Sequence, residues 1–327
     1  MTMAIDTGFL TNLAFFVSVA IIFAVLALGF NLQWGYTGLF NAGIAGFFLI
    51  GAYTAAFAIT PPAPPLIIAG IKVYPGHLGG WSQSFVVGAL LAMLASGLAA
   101  AIIAIPTLRL RADYLAIATL SFAEITRVFA INLESVTGGT IGIVQIPRIV
   151  DLQPVNPFLN AMSLVGIGAF VLLVALLVLN FIVESPWGRI LRAVREDEVA
   201  TMALGKNTFL SKLQAFALGG ALMGLAGALF TVTLAYVEPS LSFAPAVTFS
   251  VWVMVIVGGA GNNRGAIIGA FLIYGMEWVS VQLKDFVPDA FKDTIFYTRL
   301  MIIGVLLILL IIFRPEGILK ERRRVLE

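Results

Sequence analysis

TGFLTNLAFFVSVAIIFAVLALGFNLQWGYTGLFNAGIAGFFLIGAYTAAFAITPPAPPLIIAGI, residues 7–71, runs for 65 residues without one Asp, Glu, Lys or Arg. A helix needs roughly 20 apolar residues to cross the hydrocarbon layer of a membrane, so the run is long enough for two crossings. In lipid every backbone amide must find its partner within the protein, which leaves helices or a closed barrel. The run is continuously apolar rather than alternating, so helices are expected.

Outward from this stretch the same signal repeats. Charge-free runs cover 73–108, 152–183, 213–237 and 239–263. Hydrophobic residues make up 60% of the chain and charged residues 11%, about half the charge of an ordinary soluble domain. Candidate spans fall near 12–30, 37–59, 83–105, 112–131, 161–183, 213–237, 246–257, 265–283 and 298–313. The fold class is therefore all-α, a polytopic transmembrane helix bundle forming a single domain over 1–327. The N-terminal dozen residues carry no basic run and no small-residue cleavage pattern, so the first span is expected to be retained. The net charge of +2 offers no basic field for nucleic acid. With no Cys and a single His77, disulfides are excluded and a metal site has little to be built from.

Basic residues set the expected orientation, because connections rich in Lys and Arg stay inside. The connection 184–212 holds Arg189, Arg192, Arg195, Lys206 and Lys212, and the basic tail 314–327 holds Arg314, Lys320, Arg322, Arg323 and Arg324. With Arg109, Arg111 and Arg264 inside as well, 13 of the 19 basic residues are cytoplasmic, the C-terminus among them. Lys72, Arg148, Lys284, Lys292 and Arg299 fall outside, and Arg127 lies within a span. Trp34, Trp81, Trp187 and Trp278 stand near span ends, where amphipathic rings anchor.

The segment 184–213 is amphipathic. Ser185-Pro186 reads as a helix start, and Arg189, Arg192 and Arg195 at i, i+3 and i+6 share one helix face. Glu196, Asp197 and Glu198 open a second short piece that includes Ala203 and ends at Gly205, a C-cap. Such a segment either lies in the lipid headgroups or docks on a cytoplasmic partner.

The string GRILRAVREDEVATMALGKN within it is similar to the cytoplasmic signature of branched-chain amino-acid-type ABC permeases, the LivM-like group. NLQWGYTGLFNAGIAGFFLIGAYTAA (31–56), LRLRADYLAIATLSFAEITRVF (108–129), ESVTGGTIGI (134–143), GGAGNNRGAIIGAF (258–271) and RPEGIL (314–319) agree in the same order. The resemblance spans nearly the whole chain. It implies an importer permease fold in which 184–213 is the coupling element received by an ATPase subunit. It further implies a homologous second permease subunit, two cytoplasmic ATPase subunits that bind ATP and Mg, a periplasmic or extracellular solute-binding protein, and the bacterial inner membrane. There are two departures from the family pattern: Asn41 and Ile44 replace a Ser and a His where the resemblance places the translocation path, which bears on substrate, and Gly265-Ala266 replaces a Gly-Pro pair.

Two glycine-rich stretches interrupt spans. Transporters use broken helices because unwound backbone offers polar groups to solute, whereas single small residues also serve simple close packing, as at Gly220-x-x-x-Gly224. Asn31, Gln33, Tyr36, Thr37, Asn41 and Gly43 in the first stretch, and Gly258, Gly259 and Asn262 in the second, are candidates to line the translocation path. Intramembrane charges normally face a partner or a cavity. Glu124 and Arg127, three apart, form either a structural pair or part of the solute path, and Asp113 is expected to pair with Arg109 or Arg111.

No nucleotide-binding loop, zinc-protease or serine-hydrolase motif occurs, so no catalytic, cofactor-binding or metal residue is assigned. The expected function is transport of branched-chain or other neutral amino acids, driven by ATP hydrolysed in separate subunits. Urea or short amides are the alternative solutes. An ion-coupled secondary transporter is a rival class that would not need a docking segment, and an intramembrane enzyme would need a cluster of reactive groups.

Overall fold

The computed structural model describes residues 7–61, 66–68, 71–73, 78–110, 112–150, 156–283, 292–314 and 316–321. Helix α1 (Thr7–Phe30) continues through one π-helical turn, Asn31–Gly35, before α2 (Ile44–Ile59). A hairpin of β1 (Leu66–Ile68) and β2 (Ile71–Val73) follows, then α3 (Phe85–Thr107), α4 (Ala112–Asn132) and the single turn α5 (Glu134–Thr137). The remainder is α6 (Pro157–Glu184), α7 (Pro186–Glu196), α8 (Glu198–Ala203), α9 (Thr208–Leu234), α10 (Pro245–Gly258), α11 (Asn263–Leu283) and α12 (Lys292–Phe313).

Each expected span has its helix, with local chemistry moving the ends. Helix α6 begins four residues early because Asn156 accepts from Leu159 N at 3.1 Å and Pro157 fits the first turn. Helix α9 begins five early because Asn207 accepts from Leu210 N at 2.9 Å. The all-α expectation needs one correction: the loop 61–81 contains the antiparallel hairpin, with Ile67 opposite Lys72. His77, expected in that loop, lies outside the described residues.

The bundle has an inner and an outer layer. In the apolar windows of α1 and α9, 72% of residues are buried, against 22–28% in α3, α4, α6 and α11. Close approach makes the inner layer possible. On α9, Gly220 and Gly224 receive Ala100 and Ser96 of α3, and Gly227 lies against the backbone of Ala52 in α2. A side chain at any of these glycines would collide with backbone or a neighbouring Cβ, which is the small-residue packing that lipid-embedded helices rely on.

Two inner helices are too short to cross alone. The 16 residues of α2 span about 24 Å and the 14 of α10 about 21 Å, against a hydrocarbon core of about 30 Å. They run antiparallel: Ala45 N donates to Thr248 Oγ1 at 3.1 Å, and Asn41 O accepts from Trp252 Nε1 at 3.0 Å. Helix α2 stops short at the end carrying the basic connections, and α10 at the opposite end. Irregular segments complete both, 36–43 before α2 and 235–244 before α10. The second span was expected to start at 37; it starts at Ile44 because the chain between is held by side chains rather than by helical bonds.

Candidate functional site

At the basic end the π-turn and the segment 36–43 form a closed hydrogen-bonded joint. Asn31 donates to Asn263 Oδ1 at 2.9 Å and accepts from Gly261 N at 2.9 Å, and Asn263 donates to Asn180 at 2.9 Å. Gln33 donates to Phe216 O at 2.8 Å and accepts from Asn41 Nδ2 at 2.8 Å. Asn41 Oδ1 accepts from Gly43 N at 2.7 Å, and Thr119 Oγ1 from Ala42 N at 2.9 Å. Non-helical backbone at membrane depth is tolerated only when protein satisfies it, and here amide side chains do so. Asn31, Gln33 and Asn41 are wholly buried.

Beside this joint lies the amphipathic segment. Ser185 caps α7, Asp197 caps α8 through Ala200 N at 2.9 Å, and Gly205 closes the turn with φ +74°. Two of the three arginines point inward. Arg195 donates to the carbonyl of Gly35, the last residue of the π-turn, and to Glu321 Oε2 at 2.7 Å. Arg192 lies 3.5 Å from Glu321 Oε1 and over the ring of Tyr36. Glu198 is engaged too, with Lys212 Nζ at 2.6 Å and Thr208 Oγ1 at 3.1 Å. What α7 and α8 present outward is Arg189, Glu196, Asp197 and Ala203, together with Val199 (72% exposed), Met202 (49%) and Leu204 (79%).

The tail is part of the same construction. Ile318 N and Leu319 N donate to Val257 O and Gly258 O at 2.9 and 3.0 Å, answering terminal carbonyls of α10. Gly259, at φ +114°, and Gly261, at φ +79°, allow this approach, since a Cβ on either would strike the tail. Asn262 donates to Lys320 O at 2.8 Å and caps α11 through Arg264 N at 3.0 Å.

The region around the irregular segment before α10 is built differently. Glu124 and Arg127 of α4 pair at 2.8 Å with 34% and 23% of their side chains exposed, and Arg127 Nη1 donates to Ser240 O at 3.4 Å. Glu238 accepts from the amides of Ser240, Leu241 and Ser242 and from the Ser242 hydroxyl at 2.8–3.3 Å. Burial acts to raise the Glu238 pKa, but these hydrogen bonds outweigh it and hold the carboxyl below its ordinary value.

Set against the sequence, the path candidates Asn31, Thr37, Asn41, Gly43, Gly258, Gly259 and Asn262 come together at the basic end, as joint and tail seat. Tyr36 joins them under Arg192, and Glu124 stands apart on α4, next to the Ala123 that packs on Gly46. Arg192 and Arg195, expected on a face turned to a partner, are turned to Glu321 and Gly35. Arg109 lies over the Phe209 ring rather than beside Asp113, and Arg111 lies outside the described residues. Asn263, Glu321 and Tyr53 were not singled out. An acidic residue inside a basic tail was the available signal for Glu321.

The long apolar helices define a multi-pass helical membrane protein. The family profile described as "Branched-chain amino acid transport system / permease component" matches residues 12–311, and the chain belongs to that family of ABC transport permeases. It is 33% identical to the high-affinity branched-chain amino acid transport system permease protein LivM of Salmonella typhimurium, over 94% of this chain and 69% of that protein. It is 25% identical to the probable LivM of Methanocaldococcus jannaschii over 92% and 91%, and 26% identical to LivH of Escherichia coli over 91% of each. No solved structure matches.

Proposed function

We propose that the chain forms the translocation path of an ATP-driven importer for branched-chain or other neutral amino acids. It works with a homologous second permease, two cytoplasmic ATPase subunits that carry ATP and Mg, and an external solute-binding protein. The membrane is the bacterial inner membrane, and the basic end with the C-terminal tail faces the cytoplasm, in keeping with the positive-inside rule.

One observation carries the coupling. Val199, Met202 and Leu204 stand exposed at the tip of α8, beyond charged flanks. Apolar groups presented together on a rigid tip are what a protein partner buries. Their base is tied by Arg195 to the π-turn and by Glu198 to α9, so a force on the tip reaches the joint between α1 and α2. ATP binding in the docked subunits then rocks the permease pair between inward- and outward-facing states. Amino acids as the solute are supported by the names of the relatives; the Asn41 and Ile44 departures keep urea or short amides as the alternative.

The test is uptake of radiolabelled leucine, alanine and urea into proteoliposomes holding the complete transporter, with and without internal ATP. Leucine or alanine uptake that requires ATP is expected. Uptake that follows an ion gradient and ignores ATP contradicts the proposal and favours a secondary transporter.

A further inference from the structure

The C-terminal tail reaches two separate packing groups. Helix α7 packs mainly on α6, α8 and α9, whereas α10 and α11 pack mainly on each other and on α1. Glu321 lies against the first group with both carboxylate oxygens, Oε1 at 3.5 Å from Arg192 and Oε2 at 2.7 Å from Arg195. Only 17% of its side chain is exposed. A carboxylate taken out of water is costly unless paired, so Glu321 keeps this seat only while the two arginines stay beside it. The position of the tail is thereby tied to the position of α7.

From Glu321 a series of bonds runs on to the second group. The carbonyl of the preceding Lys320 accepts from Asn262 Nδ2 at 2.8 Å. Asn262 Oδ1 in turn accepts from Arg264 N at 3.0 Å and Gly265 N at 3.2 Å, capping α11. Leu319 N and Ile318 N hold the carbonyls of Gly258 and Val257 at the end of α10. Glycines take out the slack: Gly317, at φ +73°, lies against Gly259, and a Cβ on either would strike the backbone of the other segment. Such continuity is not general in the interior. The hydroxyl of Tyr53 in α2, a residue 4% exposed, has no hydrogen-bond partner among the described residues.

We propose that residues 317–321 are a strap that carries movement of α7 to the α10–α11 hairpin, with Glu321 as the positioning residue at its driven end. The inference rests on the ATP-driven reading, in which the ATPase moves α7 and α8, and adds a second route for that movement. The Arg195 guanidinium divides between the two routes. Its Nη1 holds the Gly35 carbonyl at the joint before α2, and its Nη2 holds Glu321 and so the strap. One displacement of α7 therefore reaches both short inner helices, α2 and α10, at their basic ends. Bonds in series transmit a displacement only while each link holds, so the strap is open to cutting at either end.

The experiment measures leucine uptake and ATP hydrolysis together in proteoliposomes holding the complete transporter, and reads uptake per ATP hydrolysed. Glu321→Gln keeps the shape and removes the charge that holds α7. Asn262→Asp keeps the acceptor that caps α11 and removes the donor to Lys320, opening the strap at its far end. Hydrolysis is expected to continue in both, with uptake per ATP below about one-third of wild type, the scale on which one lost hydrogen bond acts. Links in series fail once, so the double variant should stay within about threefold of the lower single variant. Uptake per ATP at or above the expected level in either single variant overturns the strap, as does a further fall beyond that range in the double variant. A merely structural tail lowers hydrolysis and uptake together, leaves the ratio unmoved and is read as the first of these outcomes; a variant that assembles but no longer hydrolyses ATP overturns the strap as well. Assembly is checked by gel filtration. If Glu321→Gln fails to assemble, Asn262→Asp decides alone at the same threshold, and failure of both assigns the tail to folding and overturns the strap. A wild-type transporter without ATP-dependent uptake overturns the underlying reading, and the strap with it.

Discussion

The two interrupted regions, 31–43 and 235–244, solve the same problem in different ways. Each replaces the missing part of a short inner helix with irregular chain. At the basic end the replacement is sealed: Asn31, Gln33, Asn41 and Thr119 answer one another and the backbone, and Arg195 with Glu321 locks the joint to the amphipathic segment. At the opposite end closure is looser, with one carboxylate gathering a turn, one half-exposed ion pair and one orphan hydroxyl. The sealed break has its polar groups answered within the protein, and the looser one leaves some of them open. A broken helix is thus no sign of a solute site by itself; what decides is whether its polar groups are already spoken for.

The contrast can be broken by substitution. The largest effect is expected from Arg195→Ala, which takes from the Glu321 carboxylate the closer of its two arginines and from the Gly35 carbonyl its charged donor. Charge-assisted bonds are worth about 1.5–3 kcal/mol each, so a lower unfolding midpoint and roughly tenfold or greater loss of ATP-driven uptake should follow. A midpoint and uptake like wild type would show that the lock transmits nothing. Next comes Asn31→Ala, which strands Gly261 N and the Asn263 side chain in the interior at a cost of about 1–3 kcal/mol. Thermal unfolding of the purified chain checks it against Ser240→Ala at the other break. Only backbone atoms of Ser240 take part there, so that change should stay within about 0.5 kcal/mol. Equal losses at the two breaks would erase the distinction.

The smallest effect is on pH dependence. The folded-state pKa of Glu238 lies below its ordinary value of 4.5, so its contribution to stability is present above that value and is lost as pH falls through the lowered one. Stability should therefore decline below about pH 4.5, and Glu238→Gln should flatten that part of the curve. The same acid slope in both proteins would remove Glu238 from the account.

Much of the fold was legible because lipid leaves few choices. Charge-free runs marked the spans, Ser185-Pro186 marked the start of α7, and Gly205 marked the end of α8. The direction of the arginine face was not legible. An i, i+3, i+6 row states which residues share a face but not what that face meets, and the carboxylate that claims Arg195 stands 126 residues away. The basic character of 314–327 hid it. For the same reason Asn31 and Asn41 looked like lining groups: polarity in an apolar run signals a partner, and sequence alone does not separate a solute from another amide. Tyr53 carried no signal at all, since an orphan hydroxyl is visible only once its neighbours are in place.

Docking of the ATPase on the tip of α8 is the step on which the proposed coupling depends. The most direct measurement is ATP-driven leucine uptake, with co-purification of the ATPase subunits, for the transporter carrying Met202→Asp together with Leu204→Asp. Both residues are exposed, and neither takes part in the locks formed by Glu198 and Arg195, so the chain itself should fold. The account predicts loss of ATPase subunits from the purified complex and loss of uptake. ATPase subunits retained in full, with uptake unchanged, would contradict it and return this segment to the lipid surface.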